Sequence, residues 1–229
     1  MIKESVLLIF IEDEAEKNSI FNTIEKIGTI CEFEEQKPQQ IIKRLKAICN
    51  AYKVNVDEST IMYLIEICGT SMQDLINEIR KLIEYAGENG TINKQDVDKL
   101  AIKQIDSVIF DLTDSLGKKD IPSAMETLKG LIYNKEPIQK ILITLYNHFK
   151  KLYLLKLAEK YNRNLAESMK LKPNQMFLVN KYKRQADYFK EEELRKIIEE
   201  LIDLDSNYKI GLIDINIGLE AILCKYCSK

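Results

Sequence analysis

The longest unbroken apolar run in the chain is Val6-Leu-Leu-Ile-Phe-Ile11, closed by Glu12-Asp13-Glu14. Its length and β-branched content predict a buried, parallel strand. Ile20, Ile24 and Ile27 then fall on one helical stripe with Gly28 as its stop, and Ile30 to Phe33 reads as a second short strand. Two strands and a helix make one βαβ unit. So small a sheet cannot cover its own faces and edges, and the chain is therefore expected to begin inside a domain.

From Pro38 the apolar period becomes helical and stays so. Pro38 opens a helix carrying Ile41, Ile42, Leu45 and Ile48, and Asp57 is placed to cap a second with Ile61, Leu64, Ile65 and Cys68, ended by Gly69. Ser71-Met-Gln-Asp74 starts a third, which carries Leu75, Ile79 and Leu82 and ends at Gly87 and Gly90; Asn93-Lys-Gln-Asp96 caps a short fourth. These make a compact first bundle over residues 36–105. Longer helices are predicted beyond it: 108–116, 121–133, 138–161, 175–188, 192–204 and 212–226, punctuated by Gly117, Pro137, Pro173 and Gly211. The helix from Ile138 carries Ile141, Leu142, Leu145, Phe149, Leu152, Tyr153 and Leu155 on more than one face, so it is either central to its bundle or part of a subunit interface. The expected fold class is mainly α: an α/β remnant (1–35), a small bundle (36–105) and a longer C-terminal bundle (106–229).

Charge changes this picture locally. The net charge of the 229 residues is −2, yet residues 1–36 carry three Lys against nine acids, and residues 140–196 carry fourteen Lys/Arg against six. Such a basic excess can steer a polyanion or an acidic protein, although a solvated lysine-rich surface accounts for it equally simply. Tyr146, Phe149, Tyr153, Tyr161, Phe177, Tyr182, Tyr188 and Phe189 interleave with the basic positions; most sit on the helical stripe, where core packing explains them better than base stacking. Five scattered cysteines and no signal-like N-terminus favour a reducing cytoplasm, and no apolar run is long enough for a membrane helix.

Catalytic chemistry is hard to find. The sequence has no Gly-x-x-x-x-Gly-Lys-Ser/Thr, so nothing cradles a nucleotide phosphate as a P-loop does. Glu12-Asp13 at the end of an apolar run has the form of a Walker B strand, which would make the chain part of an ATPase. Cys224-x-x-Cys227 is half of a zinc site with no second half, and Cys224 reads as continuing the apolar stripe of Leu219, Ile222 and Leu223. The single histidine, His148, lies beside Tyr146 and Phe149 and is expected to be packed or at an edge rather than catalytic. Hence no catalytic residue, cofactor or metal is expected.

Several stretches together resemble one family. Ser71-Met-Gln-Asp-Leu-Ile-Asn-Glu78-Ile-Arg-Lys81 is similar to a lid helix, and Thr91-Ile92-Asn-Lys-Gln-Asp96-Val97 to the start of the helix after it. Val108-Ile109-Phe110-Asp-Leu112 and Glu136-Pro137-Ile138-Gln-Lys-Ile141-Leu142 resemble the opening of a third domain, and Glu193-Leu194 through Leu204-Asp205-Ser-Asn-Tyr-Lys209-Ile-Gly211 its close. Their order resembles the delta subunit of the bacterial DNA polymerase III clamp loader. That resemblance implies an AAA+-like remnant, a lid-like bundle and a collar-type bundle, in a non-catalytic subunit that helps open and load the sliding clamp. Its implied partners are the gamma/tau and delta-prime subunits, the sliding clamp (mainly through N-terminal sequence that this chain lacks), and DNA indirectly or weakly. The interface candidates are His148, Lys151, Tyr153, Lys156 and the turn with Lys209, Gly211 and Asp214. Two other readings stay open: a fragment of another AAA+ ATPase using Glu12 and Asp13, and a helical nucleic-acid-binding module using residues 140–196.

Overall fold

In a computed structural model of the chain, described over residues 7–12, 15–33 and 36–227, the architecture is almost wholly helical. The first compact unit, residues 1–35, contains α1 (Ser19–Ile27). Asn18 caps it by accepting the Ile20 and Phe21 N–H groups, both at 3.0 Å, and Gly28 closes it. The two strands expected around it are absent among the described residues: 7–11 and 30–33 are irregular and exposed, Leu7 at 83% and Ile11 at 89%. An apolar run becomes a buried strand only where other strands satisfy its backbone and a second layer covers its face, and 35 residues supply neither.

The second unit runs from Gln36 onward and holds two apolar clusters. The first cluster is built by α2 (Pro38–Ala51), α3 (Glu58–Cys68), α4 (Met72–Ala86) and α5 (Lys94–Leu100), around Ile41, Leu45, Leu64, Leu75 and Ile79. The helix starts are those the capping residues specify. Asp57 accepts the Thr60 N–H, Ser71 accepts that of Asp74, and Asn93 and Asp96 cap each other's backbone. A parallel pair, β1 (Asn55–Val56) with β2 (Thr91–Ile92), ties the ends of the bundle together. Two residues are too few for an alternation to be seen in sequence.

The second cluster is built by α6 (Ile105–Gly117), α7 (Ile121–Tyr133), α8 (Ile138–Lys160), α9 (Leu165–Ser168), α10 (Val179–Ala186), α11 (Glu191–Lys209) and α12 (Ile215–Cys227). The axis is α8, which packs against α6, α9, α10, α11 and α12, so part of its excess apolar cover serves a central position. Three acids, Glu191, Glu192 and Glu193, fill the first turn of α11, where the helix dipole favours negative charge. Gly218 of α12 lies against Leu204 of α11 so closely that a Cβ would overlap the leucine. The single helix expected over 175–188 is instead a 3-10 turn (Pro173–Leu178) running into α10, and α9 was not anticipated.

Candidate subunit interface

The sequence-derived candidates separate into buried and displayed groups. His148 on α8 is buried among Phe110, Phe149 and Tyr182, its ring edge-on to Phe110 with centroids 4.5 Å apart, so it offers nothing to a partner. Its Nε2 lies 2.8 Å from Gln185 Oε1. Because the Gln185 amide nitrogen donates to Phe110 O and to Asp114, Oε1 can only accept, so the ring must donate from Nε2. Burial pushes the imidazole down to about 3; the Gln185 bond opposes this, and Lys151 and Lys181 add to it. His148 is thus not displayed by this chain, because the aromatic positions flanking it in sequence face the core too.

Lys151 is half-buried, with Nζ 3.4 Å from the Tyr182 hydroxyl and over that ring; burial lowers its affinity for a proton. Tyr153 is half-buried against the C-terminal core, and Lys156 is partly exposed. What α8 displays is a different row. Ile143, Asn147, Lys150, Leu154, Leu157 and Tyr161 follow one another at spacings of four and three, so they line one face; Ile143 and Tyr161 are largely exposed, Leu154 and Leu157 partly. The abundance of leucine on α8 hides this row in the sequence, since every face looks apolar.

At the other candidate, the α11–α12 turn, the polar residues shape the chain and their apolar neighbours are displayed. Lys209 pairs with Asp205 at 2.6 Å, four residues back on α11. Gly211 takes φ +74°, which lets the backbone leave the helix, and its N–H donates to Tyr208 O. Asp214 caps α12 by accepting the Asn216 and Ile217 N–H groups at 2.8 and 3.2 Å, and these bonds hold its carboxyl below the usual range. Between and just beyond them stand Ile210, Leu212 (72% exposed), Ile213 and Ile217 (65%). Gln139 donates to the Tyr208 hydroxyl at 2.8 Å, tying this turn to the start of α8. The turn displays an apolar tip, and Lys209, Gly211 and Asp214, themselves exposed, shape the bend that presents it.

The remaining chemical candidates do not assemble. Glu12 is exposed in irregular chain, and Asp13 lies outside the described residues. Cys224 is exposed, whereas Cys227 is buried; the apolar stripe from Leu219 and Leu223 continues through Tyr226 and Cys227, one turn beyond Cys224. Among the described residues no group of three or more His, Cys, Asp and Glu side chains could hold a metal ion, and no helix is long and apolar enough to cross a membrane. In the basic segment, Phe149, Tyr182 and Phe189 are buried, while Lys160, Lys183 and Arg195 pair with Glu191, Glu159 and Glu199. Most rings there are core.

Comparison with known proteins bears on the same surfaces. The model of the DNA polymerase III delta subunit, C-terminal domain, matches residues 106–226. A probable DNA polymerase III subunit delta of Aquifex aeolicus (strain VF5) is 30% identical over 185 residues, which is 79% of this chain and 51% of that protein. The DNA polymerase III subunit delta of Bacillus subtilis (strain 168) is 25% identical over 98% of this chain and 65% of its own length. The solved Bacillus subtilis DNA clamp loader delta protein superposes with a TM-score of 0.71 at 22% identity, covering 95% of this chain and 64% of that one. The chain therefore spans between half and two thirds of the length of these relatives.

Proposed function

We propose, from the premise that this chain belongs to the DNA polymerase III delta subunit family, that it acts as a clamp-loader subunit whose work is to hold other proteins in position. In this reading residues 1–35 end an AAA+-like domain, residues 36–105 are its lid-like bundle, and residues 106–229 form a collar-type bundle. The bundle docks to the gamma/tau and delta-prime subunits in the cytoplasm. ATP turnover belongs to the partners, and this subunit helps open and load the sliding clamp by fixing where they sit; its own contact with DNA is indirect or weak.

The observation that carries the reading is the pair of displayed apolar surfaces on the C-terminal bundle: the Ile143 to Tyr161 row of α8 and the Ile210 to Ile217 tip. A collar subunit must meet neighbouring subunits, and displayed apolar surface suits that need, with Lys151, Tyr153, Lys156 and Lys209 near it. Calorimetric titration of the chain against purified gamma/tau and delta-prime tests it. Association at micromolar concentration is expected, and Leu212→Asp or Ile143→Asp should weaken it by roughly tenfold or more while leaving helix content unchanged, because each places a charge in a desolvated contact. No association, or association indifferent to both changes, would reject the assignment.

A further inference from the structure

The two helical bundles have separate cores, and the chain crosses between them once, at residues 101–104. A single four-residue crossing would ordinarily act as a hinge. Here it is held along its length. Glu78 of α4 is buried and accepts the Ile102 N–H at 3.0 Å; Lys81, one turn on, pairs with Glu78 at 2.7 Å and reaches Leu100 O at 3.4 Å. The Gln104 N–H donates to Ile67 O at 2.8 Å, while its side-chain amide lies over Gly69, where a Cβ would overlap it. Lys103 pairs with Asp111 at 3.2 Å on the far side.

A second connection comes from a distant part of the sequence. The 3-10 turn Pro173–Leu178 belongs to the C-terminal bundle, since its neighbours Leu171, Leu178 and Val179 pack on that core. Phe177, however, packs against the core of the first bundle. The Asn174 side chain, buried, donates from Nδ2 to Thr70 Oγ1 at 2.9 Å, in the loop between α3 and α4. With three residues per turn, a 3-10 helix places positions 174 and 177 on the same side. An α-helix in the same place would rotate them apart by about 60°, which gives the departure from the expected helix over 175–188 a structural purpose.

We infer that the Pro173–Leu178 turn is a clasp: by holding Thr70 and the first core, it fixes the angle between the two bundles, so that they move as one lever and not as modules on a hinge. The inference rests on contacts within the chain and does not depend on which proteins bind its outer surfaces. It also separates two roles. The 101–104 crossing and the packing of α3 on α6 set the distance between the bundles, and the clasp, fastened at a second point, removes the rotation about that junction.

Hydrogen exchange followed by mass spectrometry on the full chain tests this. In the wild type the Ile102 and Gln104 amides should be protected to a degree comparable with α3 and α6. In Asn174→Ala/Phe177→Ala, protection at 101–104 should fall tenfold or more, although the substitutions lie some seventy residues away, while α11 and α12 change less than twofold. Thr70→Val removes the acceptor without touching the C-terminal bundle and should reproduce part of the same loss at 101–104. Should the double variant lose protection throughout its own bundle, Thr70→Val alone decides. Junction amides that exchange freely in the wild type, or that stay protected in Thr70→Val, would overturn the clasp.

Discussion

His148 shows how much a single residue's environment can reverse its ordinary behaviour. Free imidazole titrates near neutrality, but here desolvation dominates, and the ring stays neutral down to about pH 3. Above about pH 6.5 both folded and unfolded rings are neutral, so the group adds no pH dependence. Below that, the unfolded ring takes up a proton that the folded ring refuses, and stability falls by about 1.4 kcal/mol per pH unit. Between pH 6.5 and 5 the loss is roughly 2 kcal/mol. Urea unfolding at intervals across that range should show it, and His148→Gln, less stable at pH 7, should have a flatter profile; equal slopes would mean that the ring is not held neutral. The aromatic flanks in the sequence point to a packed or edge histidine, and the ring is packed. The sequence could not show Gln185, thirty-seven positions away, as the partner that fixes the tautomer.

A capping side chain makes some helix starts legible, though not all: Asn164 caps the unexpected α9, and Asp214 caps α12 three residues beyond its expected start. Asp57, Ser71 and Asn93 mark α3, α4 and α5 to within a residue. No side chain caps α6, which begins three residues before the expected 108. Over its described residues, 7–11, the expected strand is absent for a related reason: an apolar run specifies a strand only through neighbours that pair with it. Caps therefore carry predictive weight. Replacing Asp214 with Ala should lower the melting temperature by about 2–4 °C, the usual consequence of losing a helix cap in a chain of this size, while Asp214→Asn should largely retain it. Because its carboxyl is held below the usual range, the advantage over Ala is present above the unfolded value near 3.8 and disappears as the pH falls through the lower folded value. A wild type and Asp214→Ala that differ equally at pH 7 and pH 2.5 would contradict this.

For the whole molecule, the division into an initial segment and helical bundles follows from periodicity, but the displayed surfaces do not. From the sequence the Lys209 to Asp214 turn is a candidate as a whole; the structure adds that its polar residues build the bend and that Ile210, Leu212 and Ile213 stand exposed beside them. Exposure depends on where the next helix lies, and one sequence does not state that. The same reasoning bears on what each part requires in order to fold. Among the described residues both apolar clusters are made of residues between Ile41 and Cys227. Removing residues 1–35 should therefore leave a chain that unfolds cooperatively with the full chain's urea midpoint, its free energy unchanged to within about 1 kcal/mol. It should also be less prone to self-association, since the exposed Leu7 to Ile11 run would be gone. A broadened transition, or a midpoint lowered by more than about 1 M urea, would show that the bundles draw on the initial segment for their stability.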